Sequence, residues 1–209
     1  MKNFLKKFLL ILTINFAVLN PAWAGQSKEA ENFVNDFGNK IIATASNKSF
    51  SVEERKQQLI NQIESIVDSK WISRFVLATN YQSATQAQRD RFEGLYRDFM
   101  IYTYAPSFKG YNNEKFQVVD SIQQGKYYLV KCVFIPADSP KVNVSFRLKK
   151  AEGKAGFDLL DIIAEGVSLI ETQRSEFGSV ISAKGLDGFL DDLEARVKVL
   201  KTTPAKIQK

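Results

Sequence analysis

The sequence predicts an α+β fold in which about six helices cover one face of a curved antiparallel sheet, a meander of four strands. Two patterns lead to this prediction. Apolar residues recur at helical spacing before residue 105 and again after residue 166, whereas residues 115–165 form apolar, often alternating runs separated by short turns. Short turns favour a meander, because parallel strands need crossover connections of a dozen or more residues. The 209 residues suffice for one domain with a substantial core.

The first 24 residues have the pattern of a secretory signal peptide. Lysines within the first seven residues precede an apolar run over residues 8–19, and Ala22-Trp23-Ala24 has the small residues of a cleavage site. The apolar run is shorter than the roughly 20 residues that span a bilayer. We therefore expect a cleaved signal peptide over residues 1–24, a single soluble domain over residues 25–201 and a flexible basic tail over residues 202–209.

Apolar stripes and capping residues predict four helices in the first half of the mature chain. The first covers residues 28–45. A Ser-x-x-Glu capping box at Ser51 starts the second helix, because the serine oxygen accepts from a backbone amide while the glutamate reaches back to another. Asp68 caps a short third helix. Thr85 begins a further capping box before the fourth helix, which carries an aromatic stripe and ends by Pro106.

Turns rich in glycine, proline and polar residues separate the four strands. The strands are predicted over residues 115–122, 126–135, 141–150 and 157–165. The third alternates strictly between apolar and polar residues, which indicates one buried face and one wet face. After the turn at Gly166, two helices over residues 168–183 and 186–199 close the chain, with Gly185 between them.

Composition excludes several classes of function. The chain has 29 Lys and Arg against 23 Asp and Glu, and without the three signal-peptide lysines the balance is 26 − 23 = +3. This weak, interspersed charge does not indicate nucleic-acid binding, although it suits transient contact with an anionic membrane. The absence of histidine removes Ser-His and Cys-His nucleophiles and nearly all zinc sites. The single cysteine, Cys132, allows no internal disulfide, and we expect neither a cofactor nor a metal.

Three acidic residues around the last strand, Asp158, Asp161 and Glu165, have the composition of a catalytic carboxylate cluster. In a regular strand Asp158 and Asp161 point to opposite faces, so we expect no pairing between them. A solvated edge or a salt bridge to Arg174 is the preferred interpretation. The Gly-Val-Ser-Leu sequence that follows begins like a nucleophile elbow, but it lacks the second glycine and the chain has no histidine to serve as base.

Several stretches, in their order and spacing, carry a resemblance that extends from about residue 30 to residue 193. They are FVNDFGNKII over residues 33–42, residues 67–68, 74–77, 84–85, 88–92 and 103–105, Tyr111, DIIAEGVSLI over residues 161–170, and residues 174–177. Together they resemble the MlaC-type phospholipid-binding proteins, also called the toluene-tolerance family. Four positions depart from the family's pattern: Ala78 replaces a glycine, Tyr81 a tryptophan, Gln86 a proline and Phe157 a tryptophan.

The resemblance implies a mixed fold related to the NTF2-like cone, with a pocket between sheet and helices that encloses acyl chains and leaves the headgroup at the mouth. It also implies a periplasmic protein that is not an enzyme. Its partners would be a phospholipid ligand, an outer-membrane lipoprotein–porin complex and an inner-membrane lipid ABC transporter. Such a carrier would shuttle lipid between these complexes and maintain outer-membrane asymmetry. We expect a monomer that binds no nucleic acid and comes near a membrane only transiently.

A lipid-carrying interior must be strongly apolar, because two acyl chains carry about 30 methylenes and burying each is worth roughly 0.8 kcal/mol. We expect the contacts to come from the inner face of the sheet, from the third and fourth helices and from the last strand–helix connection. The candidate lipid-binding residues are Phe75, Tyr81, Phe92, Tyr96, Phe99, Tyr104, Tyr128, Val130, Phe134, Val144, Phe146, Ile163 and Val167. For any single aromatic residue among them ordinary core packing is the preferred interpretation, because aromatic residues at helical spacing usually fill space, and the set as a whole favours lipid contact more than any member does.

Two other functions stay open at the level of sequence. The first is an isomerase on a similar cone, with an aspartate base and a tyrosine oxyanion donor. Asp120, near Tyr127 or Tyr128, is the one loose candidate for such a pair. The second is a periplasmic interaction module whose interior is only core.

Overall fold

The computed structural model describes residues 25–104, 114–136 and 140–202. The predicted signal peptide lies outside the described residues, as do residues 203–209 of the predicted tail and the predicted end of the fourth helix at Pro106. The helices are α1 Lys28–Ser46, α2 Val52–Glu64, α3 Ser69–Leu77, α4 Thr79–Ser83, α5 Gln86–Tyr104 and α6 Leu169–Thr202. The strands are β1 Lys115–Gln124, β2 Tyr127–Ile135, β3 Val142–Lys150, β4 Phe157–Ala164 and β5 Val167–Ser168.

The predicted α+β class and the antiparallel meander are confirmed. The strands follow one another in the order β1-β2-β3-β4-β5, and each neighbouring pair is antiparallel. The predicted break at Gly185 is also confirmed, because its φ of 74° and ψ of 171° interrupt the helical backbone within α6. No helix among the described residues combines the length and the hydropathy that a membrane crossing requires.

Two short elements were not predicted, and both follow a residue with positive φ. Glu165 (φ 48°) and Gly166 (φ 82°) form a tight turn that folds β5 back on β4, so the sheet has five strands among the described residues rather than four. Ala78 (φ 52°, ψ −124°) ends α3 and reverses the chain into α4. The turn at Gly166 was predicted, but the pairing of the chain after it as a fifth strand was not. The turn at Ala78 had no local signal, because such backbone angles are rare for residues with a Cβ.

The capping residues act as the sequence predicts. Ser51 and Glu54 form both hydrogen bonds of the capping box at α2. The Asp68 carboxylate accepts from the Trp71 amide at 2.9 Å at the start of α3. The Thr85 hydroxyl accepts from the Gln88 amide at 3.2 Å before α5, and the Gln88 side chain accepts in return from the Thr85 amide at 2.9 Å.

A β-bulge in β4 corrects one prediction about the acidic residues. The register pairs Leu148 with Leu159 but Arg147 with Asp161, so Leu160 is an extra residue in β4. Asp158 lies opposite Lys149 and Asp161 lies opposite Arg147, and these two partners share one face of β3. The expectation that the two aspartates point to opposite faces was therefore wrong, because the bulge shifts the alternation by one residue.

Buried apolar residues form two separate clusters. The helical cluster joins α3, α5 and α6 and consists of Ile72, Val76, Leu77, Phe92, Tyr96, Phe99, Ile170, Phe177, Ile181, Phe189, Leu190, Leu193 and Val197. The sheet cluster joins α1 to the inner face of the sheet and consists of Ala30, Val34, Tyr128, Val130, Cys132, Leu148, Phe157 and Leu159. Val67, in the α2–α3 connection, packs against both clusters. The space between the clusters is where a site can form.

Candidate functional site

An apolar cavity of about 340 Å³ lies between the helical cluster and the sheet cluster. This volume falls at the lower end of the roughly 300–1,000 Å³ found for ligand cavities. Its wall is drawn from both clusters, with Ile72, Tyr96 and Ile170 from the helical cluster and Leu159 from the sheet cluster. The cavity therefore exists because the two clusters pack separately rather than merge.

The floor of the cavity is formed by fully buried aliphatic side chains. Leu160, the bulge residue of β4, has no exposed surface, and Ile170 at the start of α6 is also buried. Ile72 reaches the floor from α3. Aliphatic side chains have no polar atoms that need partners, so they can face an enclosed space without the cost of an unsatisfied hydrogen-bonding group.

The rim of the cavity is partly exposed and carries two opposite charges. Ile63 and Glu64 come from the C-terminal turn of α2, and Arg97 and Ile101 come from α5. The Arg97 Nε donates to the Glu64 Oε1 at 2.5 Å. This hydrogen bond raises the pKa of Arg97 above its ordinary value, so the guanidinium is charged at any physiological pH.

Asp161 is the one carboxylate in the floor, and its oxygens are occupied. The side chain is 0% exposed and lies 3.6 Å from the Arg147 Nη1. It accepts a hydrogen bond from the Ser168 hydroxyl at 2.7 Å and one from the Ile170 amide at 3.3 Å. The Ser168 hydroxyl in turn accepts from the Glu171 amide at 3.1 Å. Asp161 therefore stabilises the N-terminus of α6, where a negative charge is favourable.

The acidic residues were predicted to form a solvated edge or a salt bridge to Arg174, and both alternatives were wrong for Asp161, which is buried and pairs with another arginine. Arg147 makes the ion pair instead, because the bulge turns Asp161 towards the Arg147 side of β3. Asp158 lies 3.0 Å from the Lys154 Nζ and so pairs with the β3–β4 turn. The Arg174 guanidinium stacks 5.1 Å above the Phe75 ring.

Tyr96 supplies the other polar group of the floor. Its hydroxyl donates to the Gln173 Oε1, and the Gln173 Nε2 donates to the Met100 Sδ at 3.1 Å. Burial raises the pKa of the Tyr96 hydroxyl well above its usual range, and the nearby Tyr104 and Asp161 act in the same direction. Tyr96 is therefore neutral, and its hydroxyl is engaged with Gln173 in the wall of the cavity.

Among the thirteen candidate lipid-binding residues, Tyr96 lines this cavity. Phe92 and Phe99 lie in the helical cluster, and Phe75 and Tyr81 pack against it. Their rings are close to one another, as in the 5.3 Å stack of Phe92 on Tyr96. Tyr104 lies at the end of α5 and is exposed.

The candidates on the sheet occupy three environments. Tyr128 and Val130 belong to the sheet cluster, and Phe146 packs against it. By register, Val144 lies opposite Cys132 and Phe134 opposite Val142, which continues the same inner face beyond the cluster. Ile163 pairs with Ser145, and Val167 is 63% exposed. Lipid contact by these residues stays a prediction.

Sequence reasoning missed most of the cavity wall. The missed residues are Ile63, Glu64, Val67, Ser69, Ile72, Arg97, Met100, Ile101, Leu159, Leu160, Asp161, Ile162, Leu169 and Ile170. One signal was available in α5, where Arg97, Met100 and Ile101 follow helical spacing beside the aromatic stripe and define a second face. The uninterrupted apolar pair Leu159 and Leu160 was another, because a regular half-buried strand would alternate.

The residues proposed for an isomerase do not line the cavity. Asp120 accepts from the Gln26 side chain at 2.8 Å and lies 3.8 Å from the Lys131 Nζ. Tyr128 packs its ring 5.0 Å from Phe157 inside the sheet cluster. Tyr127 lies next to the Lys126 ammonium. The described residues also include no group of three or more acidic or sulfur ligands that could hold a metal.

Comparison with known proteins gives consistent matches. The MlaC protein family model matches residues 31–195. The intermembrane phospholipid transport system binding protein MlaC of Haemophilus influenzae is 22% identical over 208 residues, which cover 91% of this chain and 92% of that protein. Among solved structures, the phospholipid-binding protein from Ralstonia solanacearum in complex with a phospholipid shares the fold, with a TM-score of 0.74 at 20% identity over 83% of this chain and 99% of the other.

The family match carries more weight than the structural likeness, which at this identity shows the fold alone. It spans 195 − 31 + 1 = 165 of the 209 residues and includes α2, α3, α5 and β4, the elements that contribute most of the cavity wall. The chain therefore belongs to the MlaC family.

Proposed function

We propose that this protein is a periplasmic phospholipid carrier that encloses acyl chains in the cavity between the helical and sheet clusters. The observation that carries the proposal is the apolar cavity itself, whose wall among the described residues consists mostly of aliphatic side chains. The names of the Haemophilus and Ralstonia relatives support phospholipid as the ligand.

The energetics favour enclosure over catalysis. Burying about 15 methylenes of a single acyl chain is worth roughly 12 kcal/mol, so a chain that leaves the membrane needs an apolar container. Release then requires that a membrane or a partner offset this term. In line with what the family resemblance implies, the proposed carrier takes and delivers lipid at an outer-membrane lipoprotein–porin complex and an inner-membrane ABC transporter, and it supports outer-membrane asymmetry. It approaches membranes transiently, acts as a monomer and performs no chemical step.

The polar groups of the floor also fit a container better than an active site. Asp161 is held by Ser168, the Ile170 amide and Arg147, and Tyr96 is held by Gln173. A general base needs a free oxygen within reach of substrate, and the Asp161 oxygens are already bonded to the protein.

The test begins with the mature protein purified without detergent and extracted with organic solvent. Mass spectrometry should find phospholipid in a near-stoichiometric amount, and intact-mass measurement should place the mature N-terminus at Gly25. A chain that carries no phospholipid, both when purified from a Gram-negative periplasm and after incubation with phospholipid vesicles, would contradict the proposal.

A cavity-filling variant tests whether the bound phospholipid occupies this cavity. Ile63→Trp places a large ring at the rim and should reduce the bound phospholipid several-fold, because the added volume occupies the space of the acyl chains. Leu95→Trp is the matched control, since Leu95 is a half-buried aliphatic residue that packs on the helical cluster and does not line the cavity. Equal loss of lipid in both variants would show that the cavity is not the binding site.

A further inference from the structure

The rim of the cavity carries a charged pair that the packing of the protein does not require. Arg97 is 56% exposed and Glu64 is 32% exposed at their side chains, and both line a cavity whose wall is mostly apolar. An ion pair at this exposure contributes little to stability, about 0–1 kcal/mol. The position of this ion pair at the mouth of the cavity therefore indicates a role in ligand binding rather than in folding.

The pair also spans the boundary between the two regions of the molecule. Arg97 lies on α5, whose Phe92, Tyr96 and Phe99 belong to the helical cluster. Glu64 ends α2, which packs against α1 and is tied to it by the hydrogen bond from the Gln62 amide group to the Thr44 hydroxyl at 2.8 Å. The Arg97–Glu64 hydrogen bond therefore crosses the opening from one wall to the other.

A phospholipid whose acyl chains occupy the cavity must leave its phosphate near this mouth. A phosphodiester presents anionic oxygens to which a guanidinium can donate two parallel hydrogen bonds. The Glu64 carboxylate presents the same kind of acceptor to the same guanidinium. Carboxylate and phosphate are thus competitors for Arg97.

We propose that Arg97 binds the phosphate of the carried phospholipid and that Glu64 takes the place of this phosphate when the cavity is empty, which closes the mouth. This inference rests on the proposed function. Lipid entry then exchanges an intramolecular ion pair for an ion pair with the ligand. The exchange keeps Arg97 paired in both states, and it lowers the net cost of opening and closing the mouth.

The exchange predicts that removing Glu64 and removing Arg97 change the affinity for phospholipid in opposite directions. An ion pair with a purely structural role does not predict this. Removal of Glu64 removes a competitor and should tighten phospholipid binding. Removal of Arg97 removes the phosphate partner and should weaken it. If the pair only held α2 against α5, both removals would loosen the same wall and would change binding in the same direction.

The experiment uses the mature protein stripped of co-purified lipid and two fluorescent probes with the same acyl chains, a phosphatidylglycerol and a diacylglycerol. Arg97→Gln should weaken phosphatidylglycerol binding about tenfold and leave diacylglycerol binding unchanged, because only the first probe carries a phosphate. Glu64→Gln should tighten phosphatidylglycerol binding about threefold. The Arg97 effect should shrink in high salt, because the site is partly exposed.

Arg91→Gln is the matched control, because Arg91 also lies on α5 and pairs with Asp191 at 2.7 Å without lining the cavity. It should leave both affinities unchanged. Weaker binding of both probes by Arg97→Gln and Glu64→Gln alike would overturn the inference. Failure of the wild-type chain to take up either probe would instead overturn the proposed function. Diacylglycerol binding by Arg97→Gln verifies that this variant is folded.

Discussion

The helical cluster and the sheet cluster bury their apolar side chains through different kinds of contact. In the helical cluster, aromatic rings pack on one another, and Phe92, Tyr96, Phe99, Phe177 and Phe189 form a continuous set of ring contacts with centroids 4.9–6.5 Å apart. In the sheet cluster, side chains from paired strands lie against one helix, α1, and the ring contacts are fewer, with Phe157 beside Phe33 and Tyr128 and with Phe116 beside Phe146. The aromatic residues of the helical cluster are buried by contacts with one another, whereas α1 covers only part of the inner face of the sheet.

This difference explains where the cavity forms. The aromatic rings of the helical cluster pack against one another, so the aliphatic residues at its edge face the cavity. The part of β4 that α1 does not cover faces the same cavity. The result is an aliphatic cavity between two stable regions rather than a hole within one of them.

The largest expected effect comes from removing one phenylalanine ring within the helical cluster and one ring that packs against the sheet cluster. Phe92→Ala should lower the free energy of unfolding by about 4 kcal/mol, because Phe92 has no exposed surface and contacts three other rings. Phe146→Ala should cost about half as much, because Phe146 is half-buried and contacts one ring, Phe116, at 5.9 Å. Urea denaturation measures both. Equal losses would contradict the view that the two clusters differ in packing.

The next effect concerns the link between β4 and α6. Asp161→Ala should cost about 3 kcal/mol, because it leaves the Ser168 hydroxyl and the Ile170 amide without their acceptor and Arg147 without its buried partner. Glu171→Ala is the control, since Glu171 lies 3.6 Å from the same guanidinium but is exposed, and it should change stability by less than about 0.5 kcal/mol. Similar values for the two variants would show that Asp161 does not anchor α6.

A stabilising change is expected where the helical region carries backbone strain. Ala78 has φ 52° and ψ −124°, angles that only glycine adopts freely, and strain of this kind costs about 1–3 kcal/mol. Ala78→Gly should therefore raise the free energy of unfolding by about 1 kcal/mol, after the entropy that a glycine adds to the unfolded chain is subtracted. Ala84→Gly should do the reverse, since Ala84 has an ordinary φ of −66°. Thermal unfolding of the two variants should give shifts of opposite sign, and shifts of the same sign would contradict the strain at Ala78.

The smallest effect tests a tie between the two regions by pH. Burial alone would raise the pKa of Asp68, but hydrogen bonds from the Lys149 ammonium and the Trp71 amide outweigh it and hold this pKa below its usual range. The carboxylate therefore stabilises the fold at pH values above its unfolded pKa of about 3.9, and this stabilisation is lost as the pH falls towards the folded pKa. Asp68→Asn keeps the cap of α3 but removes the charge.

The wild type should exceed Asp68→Asn in thermal stability at pH 6 by about 1 kcal/mol or less, and the difference should vanish near pH 2. Glu152→Gln is the control, because Glu152 is exposed and its carboxylate lies 3.8 Å from the ammonium of the same lysine, farther away than the Asp68 carboxylate. A difference between wild type and Asp68→Asn that is constant with pH would mean that the ion pair with Lys149, on β3, does not join the helical region to the sheet.

The parts of the fold that follow from local chemistry were predictable. Capping at Ser51, Asp68 and Thr85 located three helix starts, because each side chain bonds an amide three residues on. Strand alternation located the meander. The turn at Gly166 was predictable from its glycine, but the positive φ of Glu165 before it was not, because a tertiary contact accompanies it, the 2.6 Å hydrogen bond from the Asn143 amide to the Glu165 carboxylate. The positive φ of Ala78 had no signal in the sequence, because residues with a Cβ rarely adopt it.

The site was less accessible to sequence reasoning than the fold. Large aromatic residues such as Phe92 and Phe99 were natural candidates for contact with lipid, yet mutual ring contacts occupy them in the helical cluster. The cavity wall consists instead of aliphatic residues that resemble any core residue. The bulge at Leu160 adds a register shift that a strict period of two cannot anticipate.

The position of Cys132 gives a consequence for kinetics. It is the single cysteine of the chain, it lies in β2 within the sheet cluster, and burial raises the pKa of its thiol to about 12. Alkylating reagents react with an exposed thiolate, so labelling of Cys132 proceeds only when the sheet region opens. The rate of Cys132 alkylation in the wild-type protein therefore measures how often the sheet region opens. An alkylation rate above the rate of global unfolding would show that the sheet region opens while the aromatic helices stay intact.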